Sequence, residues 1–215
     1  MTIRRRKAEE VANAVSHGIG VGLAIVGTAV LVVNAARYGT IWHIVTYSVF
    51  GASMLLTYLA STLFHSAKKM RTRRRLNKFD HSAIYIMIAS TYTPLSLATP
   101  LRGWIGWTIF GLIWALALTG VIYRVFFYDL KYRTLSTWLY VMMGWLLLFP
   151  IVPLICKAPL PVPAKTLWFL LAGCLSYTVS IIFFLHKKPF FHVVFHLFIL
   201  GGTICHFFAF LKILR

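Results

Sequence analysis

The stretch Phe191–Leu211, FHVVFHLFILGGTICHFFAFL, is long and apolar enough to cross a membrane as one helix. Its first turns nevertheless carry two histidines, His192 and His196. Residues four apart lie on one face of a helix, one turn apart. Because a polar side chain at membrane depth usually faces a protein interior or a cavity, these imidazoles could supply two ligands of a metal site. The simpler interpretation is a pair of histidines solvated at the membrane interface.

The composition of the whole chain is that of a polytopic membrane protein. Of its 215 residues 60% are hydrophobic, and the mean hydropathy is +0.79. Four acidic residues stand against 22 Lys and Arg, which gives a formal charge of +18. In a soluble protein this charge would suggest nucleic acid, but here the basic residues flank apolar spans, where they orient the chain and meet anionic lipid. We therefore expect membrane lipids, and no nucleic acid, as partners.

Seven apolar stretches of about 20 residues predict an all-α fold, a seven-transmembrane helix bundle that forms a single domain over residues 1–215. Residues 1–15 form a basic tail and an amphipathic approach to the first span. The predicted spans are 16–36, 43–65, 81–101, 104–123, 135–155, 165–185 and 191–211. The run from His17 to Gly22 resembles a dinucleotide-binding loop, but no strand precedes it, so we interpret its glycines as sites of close helix packing.

The basic residues are divided unequally between the two sides of the predicted membrane. Sixteen of the 22 Lys and Arg residues fall on the side of the amino-terminal tail, seven of them in a predicted loop over 66–80. The positive-inside rule therefore places the amino terminus in the cytoplasm. Seven spans then place the carboxyl terminus outside.

Four polar residues fall at one membrane level on the predicted cytoplasmic side. His65 ends span two, Asp80 opens span three, and His192 and His196 open span seven. Three neutral imidazoles, together with a water or a carboxylate, suit Zn²⁺ in tetrahedral geometry, and three protein ligands leave the fourth position open. The pattern therefore predicts zinc on His65, His192 and His196.

Two further side chains could act on a water at such a site. Asp80 could hold the water or serve as a general base. Ser61 stands four residues before His65, on the same helical face, and could orient the water or donate to an oxyanion. Both residues also have structural interpretations, in which Asp80 caps the helix of span three and Ser61 bonds its own helix backbone.

Other polar residues are less informative. Glu10, Asn13 and His17 share one helical face, which could gate access from the cytoplasm or simply form the amphipathic approach to span one. His81 is a fallback ligand. His206 lies ten residues beyond His196, about 15 Å deeper, and is expected to be a hydrogen-bonded core histidine.

Four separated motifs carry a family resemblance. They are Glu10-Val-Ala-Asn13-Ala-Val-Ser16-His17, Ser61-Thr-Leu-Phe-His65, Asp80-His81 and His192-Val-Val-Phe-His196. Over nearly the whole chain, the sequence resembles the haemolysin III branch of the progestin and adiponectin receptor family, most closely its short bacterial members. The resemblance implies a seven-helix protein of the bacterial cytoplasmic (inner) membrane, with zinc on the three histidines and Asp80 reaching the metal through water. It also implies a distant kinship with alkaline ceramidases, which hydrolyse lipid amides at a similar site.

Three functions fit this reading. The first is a zinc-dependent intramembrane hydrolase that takes a lipid amide or ester into the bundle cavity. The second is a non-enzymatic regulator of membrane energetics or fluidity in which structural zinc joins helices. The third, a pore-forming haemolysin, is disfavoured because the sequence has no repeated charged ring and no polar stripe through several spans. An open cavity between the metal site and lipid would favour the hydrolase, and a closed four-coordinate site would favour the regulator.

Overall fold

The computed structural model describes residues 3–127, 133–146, 163–186 and 188–214, and no strand occurs within these ranges. The described residues form seven α-helices and a π-helical turn that continues the fourth helix. They are α1 (Ile3–Tyr38), α2 (Ile41–Ser66), α3 (Met70–Leu97), α4 (Trp104–Ile122) with its π-turn (Tyr123–Phe127), α5 (Arg133–Leu146), α6 (Ala164–Leu185) and α7 (Phe191–Ile213). The prediction of an all-α protein is confirmed for this part of the chain.

Among the described residues, five helical segments are long and apolar enough to cross a membrane. They are Arg4–Tyr38, Ile41–Ser66, Trp104–Phe127, Ala164–Leu185 and Phe191–Ile213. The first turns of α3 are rich in Arg and Lys, and α5 has only 14 described residues, so neither helix joins this group. Residues 147–155 of the predicted fifth span lie outside the described ranges. The membrane nature of the protein is therefore clear, whereas the count of seven spans stays a prediction.

Two helices are longer than the apolar stretches that predicted them. The helix α1 begins at Ile3 rather than at 16, and α3 begins at Met70, so the predicted loop over 66–80 is mostly helical. Arg and Lys are good helix formers, and apolar content marks only the part of a helix that lies in lipid. The 36 residues of α1 extend about 54 Å at ~1.5 Å per residue, against a hydrocarbon core of about 30 Å. Its basic first turns therefore reach beyond the hydrocarbon.

Six of the helices form a closed ring around a cavity. Helix α1 packs on α2, α2 on α3, α3 on α5, α5 on α6, α6 on α7, and α7 returns to α1. Each of these six helices contributes side chains to the cavity wall, whereas α4 packs against α3 and supplies no described lining residue. The ring brings the carboxyl end of α2 and the amino end of α7 to the same end of the bundle.

Hydrogen bonds from aromatic side chains join neighbouring helices of the ring. Tyr47 Oη of α2 donates to the Phe210 carbonyl of α7 at 2.7 Å. Trp145 Nε1 of α5 donates to Thr178 Oγ1 of α6 at 2.9 Å. Between helices in lipid, packing and such bonds replace the hydrophobic driving force that acts in water. These contacts hold the ring closed below the polar end.

The glycines of the His17–Gly22 run differ in their packing. A Cβ added at Gly20 would lie 2.9 Å from the side chains of Tyr58 and Leu200, so α1 approaches its neighbours closely there. At Gly22 a Cβ would meet no described atom within 4 Å. The prediction of close helix packing is confirmed for Gly20 and wrong for Gly22.

Candidate metal centre

Three histidines from two helices meet at one end of the ring. His65 comes from the last turn of α2, and His192 and His196 come from the first turns of α7. One ligand atom from each imidazole lies within 4.8 Å of the others. The ring centroid of His65 is 5.1 Å from that of His192 and 5.1 Å from that of His196, and the last two are 4.6 Å apart. Three imidazole nitrogens at this spacing could hold a metal ion.

The chemistry of the cluster fits a cation. His65 is 7% exposed and His196 is 1% exposed. The Nε2 atom of His65 is buried and has no hydrogen-bond partner among the described residues. A buried polar atom without a partner costs free energy, and a bound metal ion would satisfy it. Imidazole nitrogen is a ligand that zinc, copper, iron and nickel accept, so the donor set fits a transition metal.

A carboxylate holds the other nitrogen of His65. His65 Nδ1 lies 2.8 Å from Glu10 Oε2, and Arg73 donates to the second oxygen of the same carboxylate. Glu10 of α1 therefore connects α2 with α3. The sequence placed Glu10 on a face that could gate the site, and it gave no sign of this contact with His65.

Residues of α1 also surround His196. The Nδ1 atom of His196 lies 3.1 Å from Ser16 Oγ, and Ser16 donates to the Asn13 carbonyl at 2.9 Å. The ring of His17 stacks on that of His196, with centroids 3.6 Å apart and planes inclined by 15°. Both ring nitrogens of His17 are buried without a hydrogen-bond partner in the described part of the chain. The face of α1 that bears Glu10 and His17 thus packs directly on the histidine cluster.

Asp80 and Ser61 line the cavity beside the cluster. The Asp80 carboxylate is close enough to Ser61 and His65 to interact with both. Asp80 stands ten residues after the start of α3 at Met70, so the prediction that it might cap this helix is wrong. Ser61 is 1% exposed, and its hydroxyl makes no bond of normal geometry to a described residue. The alternative in which Ser61 bonds its own backbone is therefore wrong as well.

Arg124 is a charged neighbour that the sequence did not single out. It lies in the π-helical turn after α4, is 2% exposed, and donates to Asn77 Oδ1 at 2.9 Å. Its positive charge acts on Asp80. Nothing in the local sequence around Arg124 indicates that this side chain turns inward.

His81, the fallback ligand, lies outside the cluster of three. Its Nδ1 lies 3.0 Å from the Asn77 carbonyl and 3.5 Å from Asp80 Oδ2. The imidazole lines the cavity next to Asp80. Its backbone carbonyl accepts a hydrogen bond from Tyr140 of α5 at 3.0 Å.

The cavity extends from the cluster into the bundle. Its lining on α7 runs from His192 to Thr203, a rise of about 16 Å. Polar groups gather at the histidine end, and the remaining wall is mostly apolar. That apolar wall includes Met87, Ile88, Trp145, Ile181, Phe184 and Ile199. A cavity with one polar end and apolar walls suits an amphiphilic molecule.

The sequence matches a family model and several known proteins. A sequence model described as haemolysin-III related matches residues 5–207. The "Hemolysin-3 homolog" of Bacillus subtilis (strain 168) is 46% identical over 202 residues, which cover 94% of this chain and 92% of the relative. The "Hemolysin-3" of Bacillus cereus is 44% identical over 202 residues, which cover 94% and 90%. The human "Monocyte to macrophage differentiation factor" is 30% identical over 220 residues, which cover 96% and 84%.

Proposed function

The chain belongs to the haemolysin-III-related family, and we propose that it is a zinc-dependent hydrolase that cleaves an amide or ester bond of a membrane lipid. One observation carries this proposal. The histidine cluster, Asp80 and Ser61 lie together at one end of a cavity whose exposed wall is otherwise mostly apolar. Such a cavity would hold a lipid with its polar linkage near the cluster and its acyl chain in the bundle.

We assign the metal to His65, His192 and His196. Three protein ligands with a position left for water are typical of catalytic zinc, whereas structural sites are usually closed by four protein ligands. A zinc ion bound there would supply Lewis-acid activation of a water molecule and of the scissile carbonyl.

The chain's own residues would provide the rest of the chemistry. Asp80 lies where it could accept a proton from the attacking water and pass it to the departing amine or alcohol. The Ser61 hydroxyl is buried and available to donate to the carbonyl oxygen as negative charge develops on it. The apolar wall would exclude bulk water from the acyl chain, which strengthens both interactions.

A second candidate function is a non-enzymatic regulator with structural zinc. The observation that favours it is the number of helices joined at the cluster. Glu10 of α1 contacts His65 of α2 and Arg73 of α3, while Ser16 of α1 contacts His196 of α7. An ion at the cluster would hold these four helices together and could couple their arrangement to the state of the membrane.

The Asp80→Asn variant separates the two candidates. If the protein is a hydrolase, zinc-loaded wild-type protein should release fatty acid from a panel of lipid amides and esters. Asp80→Asn should keep its zinc and lose turnover by about 100-fold or more, because the water loses its base. Glu9→Gln is the matched control, because it removes another carboxylate that lies outside the cavity wall. An inert panel together with a fully functional Asp80→Asn protein in cells would support the regulator instead.

We also propose that the bundle has seven spans and lies in the bacterial inner membrane, with its amino terminus in the cytoplasm. The support is the excess of basic residues on one side, sixteen of 22, together with membership of a family with bacterial relatives. A carboxyl-terminal reporter that is active only in the cytoplasm should then stay silent. A strong cytoplasmic signal would show that the span count is wrong.

A further inference from the structure

Two side chains in the first half of α1 contact the Nδ1 atoms of two of the three clustered histidines. Glu10 lies against Nδ1 of His65, and Ser16 lies against Nδ1 of His196. A neutral imidazole has one protonated nitrogen and one with a lone pair, and only the lone pair can bind a metal. The partner of Nδ1 therefore decides which nitrogen remains for the ion.

At His65 the partner is an acceptor. An ionised carboxylate accepts hydrogen bonds and donates none. The contact of 2.8 Å therefore requires His65 to donate its Nδ1 proton to Glu10 Oε2. The Nε2 atom then carries the lone pair, and this is the same atom that is buried without a hydrogen-bond partner among the described residues.

At His196 the hydroxyl of Ser16 leads to the same protonation, with the proton on Nδ1. A serine hydroxyl has a single proton. The shorter of its two contacts is to the Asn13 carbonyl at 2.9 Å, and a carbonyl oxygen can only accept. With the Ser16 proton on that carbonyl, Ser16 Oγ accepts from His196 Nδ1 across 3.1 Å, and Nε2 of His196 keeps the lone pair.

We propose that Glu10 and Ser16 are positioning residues that hold His65 and His196 as Nδ1–H tautomers, with both Nε2 atoms presented to the metal. The proposal rests on the proposed metal assignment. Hydrogen bonds of this kind fix the orientation of metal-binding imidazoles and raise their basicity. The face of α1 that carries both residues is therefore part of the metal site, whether or not it also gates access to the site from the cytoplasm.

Arg73 completes the arrangement at Glu10. Its guanidinium donates to Glu10 Oε1 and lies over the Phe64 ring, with its central carbon 4.7 Å from the centroid. Both oxygens of Glu10 are therefore occupied, one by Arg73 and one by His65. The ion pair keeps the carboxylate in its acceptor form, and it links the start of α3 to α1.

Zinc affinity of the purified full-length protein, measured in detergent by competition with a chelator, tests the proposal. Glu10→Ala and Ser16→Ala should each weaken zinc binding by about 10–100-fold. Ser16→Thr, which keeps a hydroxyl, should restore affinity. The matched controls are Glu9→Ala, which removes the adjacent carboxylate, and Ser48→Ala, which removes a hydroxyl bonded to the Ile44 carbonyl in α2. Both controls should bind zinc like the wild type.

The ¹⁵N spectrum of histidine-labelled, metal-free protein provides a second readout that general destabilisation would not reproduce. Wild-type protein should show His65 and His196 as Nδ1–H tautomers. Glu10→Ala should change only the His65 signals, and Ser16→Ala only those of His196. The tautomers can be measured even if the wild-type protein binds no zinc. Absence of zinc binding would overturn only the assignment of the metal. Protons on Nε2 in the wild type, or wild-type zinc affinity in both alanine variants, would overturn the positioning role.

Discussion

His196 and His206 lie ten residues apart on α7 and are buried almost equally, at 1% and 2% exposure, yet their surroundings differ. Around His196 two further possible ligands, His65 and His192, converge from the ends of α2 and α7. Near His206, the Cys174 thiol is 4.0 Å from Nε2 and the Tyr177 ring stands edge-on at 5.3 Å. In the described ranges, only the cluster at His196 brings three ligand groups together. Burial alone therefore does not make a metal site, because three donors must also meet at one level of the bundle.

The largest expected difference between the region around His196 and the deeper region around His206 is in the amount of metal bound. His196→Ala should lower bound zinc from about one ion per chain to nearly none, because two imidazoles hold zinc much more weakly than three. His206→Ala should keep about one ion per chain. Elemental analysis of purified protein after removal of free metal measures both. Equal losses from the two variants would break the comparison, because they would indicate a general effect of losing a buried histidine.

The next difference is between two serines that line the cavity. Ser61 and Ser180 both line it, but the Ser180 hydroxyl bonds the Tyr177 carbonyl, whereas that of Ser61 lies near Asp80. In a hydrolase, Ser61→Ala should lower kcat by about 100–1000-fold, the usual loss when one oxyanion donor is removed. Ser180→Ala should leave kcat nearly unchanged. Wild-type turnover in Ser61→Ala, measured with zinc bound, would remove this serine from the chemistry.

The smallest expected effect is on stability in the deeper region. A Cβ at Gly173 would collide with the His206 ring, so Gly173→Ala should force repacking at a cost of about 1–3 kcal/mol. Gly111 of α4 is the matched control, because a Cβ there would meet no described atom within 4 Å. Gly173→Ala should lower the melting temperature and Gly111→Ala should not, and both should keep their zinc. Loss of zinc from Gly173→Ala would mean that the two regions are coupled.

Much of the cluster could be predicted from local pattern. The spacing of His192 and His196 gives one helical face, and the distribution of basic residues puts His65 and Asp80 at the same membrane end. These inferences need only helix geometry and the sidedness of charge. The structure brings the three histidines together as the pattern predicts.

Other features could not be predicted because they depend on how helices rotate and continue. The contact between Glu10 and His65 requires the rotation of α1 about its axis, which no local pattern gives. The full length of α3 was missed because hydropathy detects lipid-facing residues rather than helix, and the segment after Met70 is basic. The inward turn of Arg124 depends on a π-helical turn, and Phe190 before α7 adopts the left-handed φ of 62°, which is unusual for a bulky residue.

X-ray absorption at the zinc edge of the purified wild-type protein identifies the atoms that bind the ion. If His65, His192 and His196 hold the metal, the protein should contain about one zinc per chain, with imidazole nitrogens at about 2.0–2.1 Å and no sulfur neighbour. Sulfur scattering at about 2.3 Å would instead place the ion at a cysteine such as Cys174, in the deeper region beside His206. That spectrum, or protein that binds no zinc at all, would contradict the assignment of the metal to His65, His192 and His196.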